Sequence, residues 1–178
     1  KIVRRGYQAK RKPTATELST WETATGLKLP DDYRRFLLAW NGGTVSPYVF
    51  SHQHPEAAPD ETEIILEVLS DWDNVLEDSR LDDVPTTRSV PPLHLVIGTD
   101  PRDVYLLLSL APETYGRIRT WYQNYDQTWG ESGNNQVGEV AENFSAFLDT
   151  LHAGGPDAYH GFWSRPETAP QHPDELRF

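Results

Sequence analysis

His52 and His54, two residues apart and followed by Glu56 and Asp60, are the nearest approach to a metal-ligating set in this chain. Alternate residues of an extended segment point the same way, so two imidazoles could meet one ion. A metal site needs three or four ligands, and the polar, proline-containing stretch from His52 to Asp60 fixes none of their geometry. The expectation is a solvated loop without metal. His94 sits in an apolar strand segment and reads as a hydrogen-bonded, half-buried residue. His152, His160 and His172 fall at a helix end and in the tail, where solvent or the helix dipole suffices. The chain has no Cys, which excludes thiolate catalysis, disulfides and Cys-based metal centres. Nucleophile signatures of the G-x-S-x-G, S-x-x-K or H-E-x-x-H kind are absent, as are glycine-rich phosphate loops. Carboxylates are so plentiful that no pair stands out without a cleft to raise one pKa. No residue pattern in the chain marks a catalytic site, and no cofactor is expected. A metal-dependent hydrolase using His52 and His54 is the weakest of three alternatives.

Charge is the stronger signal. The net charge is −11, and it is unevenly placed. Residues 1–12 hold six bases and no acid, whereas residues 56–83 hold eleven acids against the single base Arg80. An acidic block repels phosphates and attracts a basic partner, or else merely keeps a face solvated. The basic arm, with Tyr7 as a stacking residue, could touch nucleic acid. The remaining body opposes this with a net charge of −17 once the arm's six bases are set aside, so no nucleic-acid partner is expected.

At 178 residues the chain suits one domain with appendages: a basic arm over 1–13, a domain over 14–154 and a proline-rich tail over 155–178, its first part pinned by Tyr159, Phe162 and Trp163. No apolar run reaches the length of a membrane span and no signal-peptide core follows the basic start, so a cytoplasmic protein is expected. Thr14 and Glu17 have capping-box spacing before a helix over 15–25, with Leu18 and Trp21 on one face and Gly26 as the stop. Residues 45–50 form a strand pushed to an edge by Pro47. Residues 63–69 read as a strand and 71–79 as a short helix capped by Ser70-Asp71, although the apolar spacing alone would fit one helix. Strands follow over 93–97, 104–109, 117–123 and 136–140. A closing helix over 143–152 has Phe144, Phe147, Leu148 and Leu151 on one stripe. The whole is α+β: an N-terminal helical pair, a mainly antiparallel sheet of roughly five to six strands, a short inserted helix and a closing C-terminal helix.

The segment Leu29 to Gly43 is the most specific in the chain. Pro30 suits a first helical position, Asp31 and Asp32 suit the positive end of the dipole, and Tyr33, Phe36, Leu37 and Trp40 form one apolar stripe. Asn41-Gly42-Gly43 tolerates positive φ and ends the helix. This wording, LPxDYRxFLLxxNGG, resembles the signature of the SUKH superfamily, that of the yeast cell-wall-assembly regulator and of many bacterial immunity proteins. The likeness extends loosely over residues 16–152, through Leu93 to Ser109, Gly116 to Tyr122 and the closing helix. The stretch Thr99 to Asp103 departs from the shorter turn of many members.

The resemblance implies a non-enzymatic immunity protein that binds and neutralises a cognate toxin, often a nuclease, of a bacterial polymorphic or contact-dependent system. The acidic block fits a basic toxin. The expected binding residues are Glu61, Glu63, Glu67, Asp71, Asp73, Glu77 and Asp78, with exposed Trp129 and Trp163 as aromatic anchors. The alternative is a regulatory or scaffold domain of the cell-wall-assembly kind, binding other proteins.

Overall fold

A computed structural model describes residues 2–4, 11–57, 62–79, 90–101, 104–122, 129–130 and 134–153. The 155–178 tail and most of the arm lie outside the described residues. The first helix, α1 (Ala15–Thr25), starts at a reciprocal capping box between Thr14 and Glu17, and Gly26 closes it with φ 71°. Arg11 reinforces that start by pairing with the Glu17 carboxylate. Helix α2 (Asp31–Ala39) follows, with Pro30 standing as the cap residue just before it rather than at its first position. Tyr33, Phe36 and Leu37 are buried, while Trp40 is half-buried at the helix end. Between the two helices Glu22 is buried. Burial pushes its carboxyl up, but the Leu29 N–H and the charges of Arg34 and Lys28 bring it below the usual range.

The end of α2 does more than stop a helix. Asn41 has φ 58°, and its buried side chain accepts from Trp72 N–H at 2.7 Å and donates to the Arg11 carbonyl at 3.0 Å. Gly42, at φ 86°, lies so close to Leu69, Ser70 and Asp71 that a Cβ would stand 2.7 Å from the Asp71 nitrogen. Asn41 and Gly42 thus join α2 to a distant part of the chain. Asp32 likewise serves another helix: its Oδ2 accepts from Ser145 N–H at 2.8 Å, in the first turn of α4 (Phe144–Thr150).

The sheet is antiparallel throughout. A short strand β1 (Ile2–Arg4) pairs with β2 (Thr44–Ser46), and β3 (Val49–Ser51) pairs with β4 (Glu63–Ile65). The strand expected over 45–50 is therefore two strands, interrupted at the cis Ser46–Pro47 bond. The strand expected over 63–69 also divides, into β4 and β5 (Val68–Leu69), because the two pieces pair with different neighbours. Strand β5 opens a five-stranded sheet that continues through β6 (His94–Thr99), β7 (Val104–Ser109), β8 (Ile118–Tyr122) and β9 (Gly138–Ala141). Single bridges, Gly43 to Leu69 and Gln53 to Glu139, tie the 43–53 segment to both edges of this sheet. Closing edges this way protects backbone groups that would otherwise recruit other strands.

One face of the sheet packs with α1, α2 and α4 around Tyr33, Phe36, Phe50, Phe144 and Phe147, whose rings lie about 5–6 Å apart. The other face holds a smaller cluster of Val96, Leu107 and Trp121, whose indole N–H donates to Asn134 Oδ1 at 2.7 Å. The alternation read over 117–123 is the reason: Ile118 and Thr120 turn to one side, Trp121 to the other.

Candidate partner-binding surface

Helix α3 (Trp72–Ser79) lies at the centre of the acidic segment. Its inner side is fixed by Trp72, Val75 and Ser79, all buried. Trp72 meets Trp21 edge-on at 5.3 Å, and the Ser79 hydroxyl accepts from Val96 N–H at 2.8 Å, anchoring the helix to β6. With that side committed, Asp73, Glu77 and Asp78 are exposed. Asp73 and Glu77 are i, i+4 neighbours and so share one outward stripe. Glu67 is exposed just before β5, and Glu63 is exposed on β4, its carboxylate 3.8 Å from His152 Nε2.

Asp71 differs from the others. It is half-buried, and its Oδ1 accepts from Asn74 N–H at 3.1 Å, the position of a helix cap. It holds α3 in place as well as adding charge. Trp129 is not an exposed anchor: it is half-buried and packs against Trp121 at 6.3 Å, because the second face of the sheet needs cover. Glu61 and Trp163 lie outside the described residues. The described acids of α3 thus form one outward surface, and Glu63 and Glu67 are exposed in the segment that leads to it.

Asp73 suits the first turn of α3, but the two later acids work against the local helix. Like charges at i, i+4 cost about 0.2–0.5 kcal/mol, and Glu77 and Asp78 stand at the negative end of the dipole with no base in the last turn. Helix propensity alone does not account for them.

The His52–His54 stretch is not a solvated loop. Both imidazoles are buried, because the Gln53 bridge draws the stretch against β9. His52 Nδ1 lies 3.0 Å from Thr120 Oγ1, and the His54 ring meets Tyr122 edge-on at 4.6 Å. Burial, with the nearby His52, pushes the His54 imidazole down to about 4. No cluster of three or more potential metal ligands occurs among the described residues. His94, expected to be half-buried, is buried, with Nδ1 held 2.8 Å from the Pro92 carbonyl. A depression along α1, between Ala15, Thr16, Ser19, Thr20, Thr23 and Ala24, presents hydroxyls and methyls.

Part of the basic arm docks at an edge. Ile2-Val3, a β-branched pair in the basic arm, forms β1 against β2.

Among the described residues, no helix is long and apolar enough to cross a membrane. Comparison with curated proteins and with solved structures gave no significant match. A family model described as the SMI1 / KNR4 family (SUKH-1) matches residues 12–150, which run from two residues before the first cap through the closing helix. The chain therefore belongs to the SMI1/KNR4 (SUKH-1) family.

Proposed function

We propose that this chain is a non-enzymatic immunity protein that binds a basic bacterial toxin and blocks it. The carrying observation is the acidic outer surface of α3, with Asp73, Glu77 and Asp78 exposed, the last two at the helix end where the dipole disfavours acids. Charge kept at a local cost to folding is expected where function needs it. A nuclease toxin must bind phosphates, so its active site is basic, and an acidic surface steers onto such a site at rates far above neutral association. Membership of the family supports a protein-binding role of this kind or a regulatory one.

The test is co-expression with the product of the adjacent open reading frame. Survival of the host and a one-to-one complex that weakens with salt are expected. Loss of protection in Asp73→Asn/Glu77→Gln/Asp78→Asn, with folding intact, would assign the effect to this surface. Absence of both protection and complex would leave the regulatory scaffold as the better reading.

A further inference from the structure

Strand β1 lies outside the region that matches the family, which begins at residue 12, yet it fills an edge of the domain. Its register is Ile2 opposite Ser46, Val3 opposite Val45 and Arg4 opposite Thr44. On its other side β2 leads, through Gly43 and Leu69, to β5 and then directly into α3. The base of the arm is held at the same place. Asn41 grips the Arg11 carbonyl with one side-chain atom and the first N–H of α3 with the other, and Asp73 bears electrostatically on Arg11. The described base of this arm, Arg11, is thus seated beside the start of α3, within the field of Asp73.

We propose that the outer edge of β2 is a strand-addition site for an extended basic segment of a protein partner, and that the chain's own residues 2–4 occupy it as a displaceable competitor. The chemistry of the occupant is on view: a short β-branched stretch flanked by bases, Lys1-Ile2-Val3-Arg4-Arg5. Strand addition draws affinity from main-chain hydrogen bonds, so it accepts any extended segment. Asp73, which already bears on Arg11 at the base of the arm, favours a basic one. A three-residue pairing is too short to be stable by itself and is held by the high effective concentration of a tethered arm, so an incoming segment with more contacts replaces it. The proposal rests on the reading that this side of the molecule receives a basic protein.

The experiment compares the full chain with full-length Ile2→Pro/Val3→Pro. Successive N–H groups of a strand alternate in direction, so two consecutive prolines remove whichever faces β2. The probe is a fluorescent peptide with the sequence of residues 1–12. The proline variant is expected to bind it roughly tenfold more tightly than the parent, because the tethered competitor is gone. Amide exchange at Thr44–Ser46 should quicken in the variant and slow again when peptide is added. If the proline pair unfolds the chain, Arg4→Glu/Arg5→Glu weakens the arm by charge and is expected to raise peptide affinity in the same direction.

Equal affinity of parent and variant would overturn the proposal. So would undiminished binding of a peptide that itself carries both prolines, since that is adsorption to acids without strand addition. The peptide assay needs no toxin. Its failure removes the strand-addition site alone, whereas peptide binding without toxin protection removes the immunity reading alone.

Discussion

Asn41 is where α2, the arm and α3 meet, and replacing it tests the logic of the signature segment. Two consequences of Asn41→Ala can be separated. The first is loss of the side-chain bonds to Trp72 N–H and the Arg11 carbonyl. An orphaned N–H at the start of a buried helix turn costs about 1–2 kcal/mol. The second is the backbone: at φ 58° an alanine costs about 1 kcal/mol that asparagine largely avoids. Asn41→Ala should therefore lose about 2–3 kcal/mol, a fall in Tm of about 5–10 °C for a chain of this length. Asn41→Gly keeps the backbone free and should lose only the bonding part, about 1–2 kcal/mol. Urea unfolding followed by tryptophan fluorescence is the assay, since the Trp21–Trp72 contact reports on α3 directly. If glycine and alanine cost the same, the backbone argument is wrong. If both cost less than about 0.5 kcal/mol, Asn41 is a helix stop and nothing more.

Four further outcomes follow from the same structure. His54 takes up a proton near 6.5 when unfolded but only near 4 when folded, so stability should fall as pH drops through that window, by about 3 kcal/mol in all. His54→Gln should flatten this slope in equilibrium unfolding between pH 6.5 and 4, with His94, also held down by burial, leaving a residual slope of the same sign. Gly138→Ala places a methyl 2.5 Å from Thr120 Oγ1 and 2.7 Å from the Gln53 carbonyl, and should destabilise by about 1–3 kcal/mol while exposing the Gln53 and Glu139 amides to exchange. Asp32→Asn removes the charge that faces the first turns of both α2 and α4 and should cost about 0.5–1 kcal/mol, read by thermal melting. Asp73→Asn/Glu77→Gln/Asp78→Asn should change stability by no more than a few tenths of a kcal/mol, the lost first-turn charge of Asp73 offsetting relief at Glu77 and Asp78, while association with a basic partner slows and loses salt dependence in stopped-flow measurements.

Where a residue's role is local, the sequence was a good guide. The Thr14–Glu17 capping box, the Gly26 stop, the buried stripe of α2 and the Phe144-to-Leu148 stripe of α4 all depend on neighbours within a few positions, and each occurs as read. Residues 63–79 divide into strand and helix between Leu69 and Trp72, near where Ser70-Asp71 marks a cap, although the strand itself breaks in two. The outward acids of α3 were legible because charge density survives without knowledge of the fold. Trp129 reads from sequence as an exposed anchor but is half-buried, since an aromatic in a loop carries no mark of which sheet face it covers.

Local signals on the chain determined the α+β class, the family signature and the concentration of acid in one segment. Tertiary structure decided what several of those residues are for. Asp32 caps a helix more than a hundred positions away, and Asn41 and Gly42 hold α2 against α3. His52 and His54 became interior residues because one backbone bridge joins Gln53 to β9. Hydrogen bonds and close approaches between segments distant in sequence leave no periodicity to read. They arise only when the sheet brings its two edges to the same stretch of chain.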